Sequence, residues 1–160
     1  MKKLKIYTDG ACSGNPGKGG YGVILVFNKY RKELSGGYRL TTNNRMEIIS
    51  IIIGLEALTK LCNVTIYSDS RYVVDTMNKG WASKWQSNNW KRNKQEIAKN
   101  SDLWKRLLDL CTKHNVQFIW VKGHSGHPEN ERCDQLAVLA SKRMELFIDR
   151  CLELNMRLKL

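Results

Sequence analysis

The sequence has no apolar run long enough to cross a bilayer. Its most apolar stretch, Ile48 to Leu55, is interrupted by Ser50 and Gly54 and closed by Glu56. Met1-Lys2-Lys3-Leu4-Lys5 has the look of a charged leader, yet Asp9 arrives before any apolar segment of signal-peptide length. Paired cysteines are lacking too. Cys12, Cys62, Cys111, Cys133 and Cys151 are scattered, odd in number and never spaced Cys-x-x-Cys, which argues against a disulfide framework and for a reducing compartment. There is no low-complexity segment and no linker-like stretch, so 160 residues are expected to form one domain with a single core. A soluble, cytoplasmic protein is the expectation. Acidic residues are also scarce: 15 Asp and Glu face 27 Lys and Arg, a net charge of +12. That excess favours a polyanionic partner, either nucleic acid or an anionic membrane surface.

Within this frame, strand-like runs come first. Leu4–Thr8, Tyr21–Phe27 and Glu33–Leu40 are separated by a turn-rich loop, Ser13 to Gly20, and by a short polar connection, Asn28 to Lys32. They read as an antiparallel meander. The isoleucines at 48, 49, 51, 52 and 53 would suit a strand, but the uninterrupted length from Asn43 to Leu61 favours a buried helix, capped by Thr42 or Asn43. A fourth strand is expected over Val64–Ser68, a short helix over Arg71–Asn78, a longer one over Asp102–Lys113, and a fifth strand over Gln117–Val121. The last helix opens at Pro128, with Glu129 and Glu131 favourably placed in its first turn. The order describes a mixed five-stranded α/β sheet flanked by helices.

Two segments nearly repeat each other: Ile6-Tyr7-Thr8-Asp9-Gly10 and Ile66-Tyr67-Ser68-Asp69-Ser70. Each ends a strand on an aspartate, and ligands bind at the carboxyl ends of strands in open α/β sheets. Two aspartates side by side repel unless a proton or a cation relieves them. Glu47 sits in the first turn of the first helix, and Asp134 lies on the last helix beside the core-spaced Cys133, Leu136, Ala137 and Ala140. Oxygen ligands of this kind suit Mg²⁺, and two such ions about 4 Å apart can activate water and stabilise a leaving oxygen. Taken singly, each acid is equally explained as a cap, a turn residue or part of a solvated face.

Several motifs together narrow these alternatives. Tyr7-Thr8-Asp9-Gly10, Gly14-Asn15-Pro16-Gly17, Thr41-Thr42-Asn43-Asn44-Arg45-Met46-Glu47, Ser68-Asp69-Ser70 and Trp120-Val121-Lys122-Gly123-His124 through Asp134 occur in this order. Over about residues 3 to 141 the chain resembles type 1 ribonuclease H, particularly the bacterial enzymes. The resemblance implies the ribonuclease H-like fold and a metal-dependent endoribonuclease that cuts the RNA strand of an RNA–DNA hybrid. It implies two Mg²⁺ ions, with Mn²⁺ as an alternative, held by Asp9, Glu47, Asp69 and Asp134, and products with 5′-phosphate and 3′-hydroxyl ends. His124 matches a loop histidine that assists proton transfer or product release. Cys12, Asn15, Asn43 and Asn44 match residues that sense 2′-hydroxyls in the minor groove of the hybrid. Arg71 stands where bacterial relatives often carry glutamine, and a donor-only side chain there suits a phosphate or minor-groove contact. Thr42 and Asn100 match a pocket for one phosphate of the DNA strand.

Residues 79–99 hold six basic side chains and one acid, interleaved with Trp81, Trp85 and Trp90. Basic groups neutralise phosphates and indoles pack on sugars or bases. The stretch resembles the family's basic protrusion, with Lys84 and Lys91 among its contacts, although the tryptophans could equally anchor a small core. Gln86 to Asn89 thin the charge at its centre. Beyond about Ser141 the resemblance fades. Residues 142–160 carry Met144, Phe147, Ile148, Cys151, Leu154 and Leu158 at helical spacing, and the last helix is expected to continue and fold onto a monomeric body. A protein-contact surface is the alternative. A zinc site from His124, His127 and Cys133 lacks a fourth soft ligand. A DNA-cutting nuclease of related fold and a hybrid-binding protein without catalysis are the functional rivals.

Overall fold

The computed structural model describes residues 1–158. Its strands are β1 (Lys2–Gly14), β2 (Gly17–Phe27), β3 (Tyr30–Thr41), β4 (Cys62–Ser68) and β5 (Asn115–Trp120). Its helices are α1 (Asn43–Glu56), α2 (Arg71–Asn78), α3 (Trp81–Ser87), α4 (Ser101–Lys113), α5 (Pro128–Ser141) and α6 (Arg150–Leu158). They build one five-stranded sheet in the order β3-β2-β1-β4-β5, antiparallel from β3 to β1 and parallel from β1 to β5. No described helix is long and apolar enough to cross a membrane.

The expected elements are present, with shifted ends. The loop expected over Ser13 to Gly20 is mostly strand: Gly14 pairs with Gly17, so only Asn15 and Pro16 turn the chain. Backbone pairing across the hairpin overrides the local turn signal of its glycines. The first helix stops at Glu56 and not at Leu61, because Cys62 must already be extended to pair with Lys2 in the parallel ladder. Thr42 is its cap, the hydroxyl oxygen accepting from the Arg45 N–H at 3.2 Å.

Strand residues alternate between faces, and here the alternation places a helix on each side. Gly54 of α1 lies against Ile6 and Val23, whereas Gly22, the neighbour of Val23, lies against Cys133 of α5. The α1 side holds the main core: Ile6, Val23, Ile48, Ile51, Ile52, Leu55, Ile66, Trp104 and Leu107 are buried together. On the α5 side the helix backbone rests directly on glycines. A Cβ added at Gly22 would stand 2.2 Å from the Cys133 carbonyl oxygen, and one at Gly20 2.1 Å from that of Ala137. At these two glycines no strand side chain separates α5 from the sheet, so backbone contact sets how closely α5 approaches there.

The C-terminal segment departs from expectation. The last helix does not continue: it ends at Ser141, and the chain turns back along β3. Arg39 N–H donates to the Phe147 carbonyl at 3.0 Å, and Phe147 N–H to that of Gly37 at 2.8 Å, closing part of the open edge of the sheet. Met144, placed by its spacing on an apolar stripe, is fully exposed, and Phe147 and Leu158 are also exposed. Asp149 instead is buried, in a bidentate ion pair with buried Arg45 of α1 at 2.7 and 3.0 Å. The helical period read the apolar residues and missed the charged one that docks the segment. The last two residues of the 142–160 extension lie outside the described residues.

Gly22→Ala tests the backbone contact. It is expected to destabilise the fold by roughly 1–3 kcal/mol, the usual cost of overpacking, read from the midpoint of urea unfolding.

Candidate active site

Each carboxylate of the centre comes from a different element. Asp9 lies in β1 at its register with Gly22, Asp69 follows the end of the parallel neighbour β4, and Glu47 comes from the first turns of α1. The parallel pairing of Thr8 with Ser68 sets the two aspartates side by side, which accounts for the sequence echo. Gly10 lets α1 approach, since a Cβ there would meet the Glu47 nitrogen at 2.6 Å. Asp69 is pinned from behind: the Trp120 indole N–H donates to its carbonyl at 3.0 Å, and Ser70 caps α2 by accepting from Val73 N–H.

Ligand oxygens of Asp9, Glu47 and Asp69 all lie within 4.8 Å of one another. Asp9 and Glu47 are buried and Asp69 half-buried. Burial, and next the Asp69 charge, push the Asp9 carboxyl up to about 8. Burial and then Asp9 hold Glu47 well above the usual carboxylate range. Asp69 is raised as well, by burial first, against the lowering effects of a hydrogen bond with Asp9 and the charge of His124. Asp9 Oδ1 accepts from Gly10 N–H at 2.9 Å, whereas Glu47 Oε2 is buried with no hydrogen-bond partner. A buried carboxylate oxygen without a donor calls for a shared proton or a cation. Hard oxygen donors so close together fit a divalent cation such as Mg²⁺.

Asp134 stands apart from this tight set. It is half-buried on α5, outside the group of mutually close oxygens, yet near enough that its charge raises both Asp9 and Asp69. His124 is exposed, at φ +54, on the loop after β5. That loop passes against the centre, since a Cβ on Gly123 would stand 2.8 Å from Asp69 Oδ2. The zinc alternative is not formed. Cys133 is fully buried beneath β2 while both histidines are exposed, and the three do not come within ligand distance.

Around the carboxylates the remaining predicted residues fall into four groups. Asn15 and Asn43 meet at the β1–β2 turn, where Asn15 Oδ1 accepts from Asn43 N–H at 3.2 Å; Cys12, half-buried, sits between the Gly17 and Thr41 carbonyls. Asn44 lines an open groove of about 780 Å³ together with Trp81, Lys84, Trp85, Lys91 and Lys99. Trp85 and Trp90 pack partly against the core, so those two serve as anchors, while Trp81 is exposed beneath the Lys79 ammonium. Thr42 and Asn100 are joined through Arg45, which bonds both. Arg71 is exposed, its guanidinium stacked 3.9 Å above the Trp120 ring, and it has no ion pair among the described residues. Trp120 thus supports both Arg71 and Asp69. It stood in the Trp120–Asp134 motif without a role, and nothing in spacing alone points to one. Arg45 likewise stands in the Thr41–Glu47 motif without a role.

The comparisons agree with this geometry. The RNase H family profile matches residues 1–142. The chain is 64% identical to the ribonuclease H of Rippkaea orientalis over 152 residues, covering 95% of this chain and 93% of that protein. It is 55% identical to the ribonuclease HI of a Synechocystis strain over 147 residues, 91% and 92% of the two chains. Among solved structures, LC9-RNase H1, described as a type 1 RNase H with the type 2 active-site motif, superposes with a TM-score of 0.79 at 32% identity, covering 88% of this chain and 72% of that one. A β3-β2-β1-β4-β5 sheet with a carboxylate triad gathered from β1, α1 and the end of β4, and this extent of shared sequence, place the chain in the ribonuclease H family, on its type 1 branch.

Proposed function

We propose that this chain is an endoribonuclease that hydrolyses the RNA strand of RNA–DNA hybrids with two bound Mg²⁺ ions, leaving 5′-phosphate and 3′-hydroxyl ends. The observation that carries the reading is the set of mutually close, buried carboxylates with an unpartnered Glu47 oxygen, in a protein whose net charge is +12. A site this negative on a basic protein repels a phosphodiester unless cations intervene. Asp9, Glu47 and Asp69 would hold the ions, with Asp134 completing the set from α5. Bound there, Mg²⁺ supplies water activation and charge neutralisation at phosphorus; Mn²⁺, with the same preference for oxygen, is an alternative occupant.

The chain's own residues do the rest. Asp9 and Asp69, fixed by the β1–β4 ladder, orient the ligand oxygens, and the Gly10–α1 contact holds Glu47 in reach of both. His124, on an exposed loop against Asp69, takes or returns a proton at the reacting phosphate or helps the product leave. Cys12, Asn15, Asn43 and Asn44 read the 2′-hydroxyls, and amides suit this because each can donate and accept. Arg71 contacts a phosphate or the minor-groove edge. Lys84 and Lys91 neutralise phosphates of the DNA strand beside Trp81, Trp85 and Trp90, and Thr42 with Asn100 takes one such phosphate. Each of these ligands comes from one chain, which supports a site complete in a monomer. Five unpaired thiols support a reducing, cytoplasmic setting.

Asp9→Asn removes one ligand while keeping the shape. It is expected to abolish cutting of a labelled hybrid in Mg²⁺ and to leave hybrid binding, measured by fluorescence anisotropy, close to wild type. Full cleavage by that variant would overturn the site assignment.

A second consequence concerns stability. Burial and the Asp69 charge hold the Asp9 carboxyl at about 8 in the folded, metal-free protein, against an ordinary 3.8, so the folded state binds the extra proton. Its stabilising contribution is complete below about pH 4 and is lost as pH rises through about 8. Metal-free wild type should therefore lose Tm relative to Asp9→Asn across that window. Saturating Mg²⁺ should restore wild type most strongly at the alkaline end.

A further inference from the structure

Arg45 joins the C-terminal segment to the Thr42–Asn100 pair, and the direction of its hydrogen bonds sets what that pair can offer. Its backbone N–H lies 3.2 Å from Thr42 Oγ1, and its Nη1 3.3 Å from Asn100 Oδ1. Neither group of Arg45 can accept. Thr42 Oγ1 must therefore accept there, which frees the hydroxyl proton for another partner. Asn100 must likewise present its oxygen to Arg45, which turns its amide nitrogen toward the Tyr72 hydroxyl at 3.1 Å and leaves a second N–H to donate. Both side chains are thereby committed as donors, the polarity an anion needs.

Asn100 also gives up something for this arrangement. It is the N-cap of α4, where an asparagine ordinarily turns its side-chain oxygen onto its own helix, yet its side chain makes no cap hydrogen bond. Its oxygen is spent on Arg45. The guanidinium is not itself free to meet a phosphate. It is buried, with two bonds to Asp102 at 2.9 and 2.7 Å and two to Asp149 at 2.7 and 3.0 Å. Asp149 also accepts from Thr41 Oγ1 at 2.9 Å, next to Thr42 in the chain. One carboxylate of the C-terminal segment therefore braces both members of the pair, Thr42 through its neighbour and Asn100 through Arg45.

We propose that Asp149 and Arg45 are positioning residues for binding the DNA strand, holding Thr42 and Asn100 as paired donors toward one phosphate, so that the segment after Ser141 acts on substrate affinity. The proposal rests on the reading of Thr42 and Asn100 as a phosphate pocket. A role in stability alone is the competing account, since breaking a buried ion pair costs roughly 3–5 kcal/mol in itself.

The experiment uses the full chain in the Asp9→Asn background, with hybrids whose DNA strand carries single neutral methylphosphonates. One position should weaken binding, and Asn100→Ala should silence it. Asp149→Ala is expected to weaken binding of the unmodified hybrid about tenfold, near the worth of one hydrogen bond to a charged group, and to silence the same position. Combined with Asn100→Ala it should add nothing further. Asp149→Asn keeps the side-chain volume and an acceptor for Thr41, so it preserves the fold and should show the same coupling at smaller amplitude. Glu153→Ala removes only the half-buried partner of the exposed Arg39 and should leave binding at wild-type level. Additive losses from positions 149 and 100, with the methylphosphonate position still responsive, would overturn the proposal. If Asn100→Ala silences no position, the pocket reading fails and the proposal with it. A chain with Asp9 intact that neither binds nor cuts hybrid would instead sink the ribonuclease reading itself.

Discussion

Three carboxylates whose oxygens lie within 4.8 Å of one another cannot all be charged in a buried site without a cation. The architecture forces that crowding. The β1–β4 ladder aligns Asp9 with Asp69, a glycine at position 10 admits the helix carrying Glu47, and Trp120 fixes the backbone of Asp69. The metal-free fold is left with carboxyl groups that hold protons far above their ordinary range, Asp9 up to about 8. Electrostatic strain of this kind is a stability cost that a bound divalent cation would relieve.

The rest of the molecule supplies rigidity around that strain. On one face an isoleucine-rich α1 is sunk in the core; on the other, α5 lies backbone to backbone on Gly20 and Gly22. Asp134 reaches the centre only through α5, so the closeness of that contact governs how its charge acts on Asp9 and Asp69. The edge of β3 is closed by the returning chain at Phe147, and Asp149 reaches from there to the start of α1. A segment with no catalytic group thus bears on the helix that carries Glu47 and on the pair proposed to hold the DNA strand.

Much of this was legible in the amino-acid order, because the signals were local. Alternation and β-branched runs marked the strands, Pro128 marked the start of α5, and the two echoing pentapeptides marked neighbouring strand ends. The acids and the glycine-flanked His124 could be placed through family motifs. What escaped was set by tertiary pairing. The β1–β2 hairpin extends through a run of glycines that reads as a loop, and α1 ends early because β4 must begin. The most informative miss is the C-terminal segment. Its apolar residues kept helical spacing, but Phe147 and Leu158 face solvent while Asp149 is buried, and no pattern shows which of 27 basic residues an acid will meet.

The most direct measurement is cleavage of one end-labelled RNA by this chain in Mg²⁺, with the RNA presented single-stranded, paired to RNA and paired to DNA. Cutting confined to the DNA-paired form, abolished by EDTA and yielding 5′-phosphate ends, is the predicted result. Hybrid bound but uncut in the presence of Mg²⁺, or equal cutting of all three forms, would contradict it.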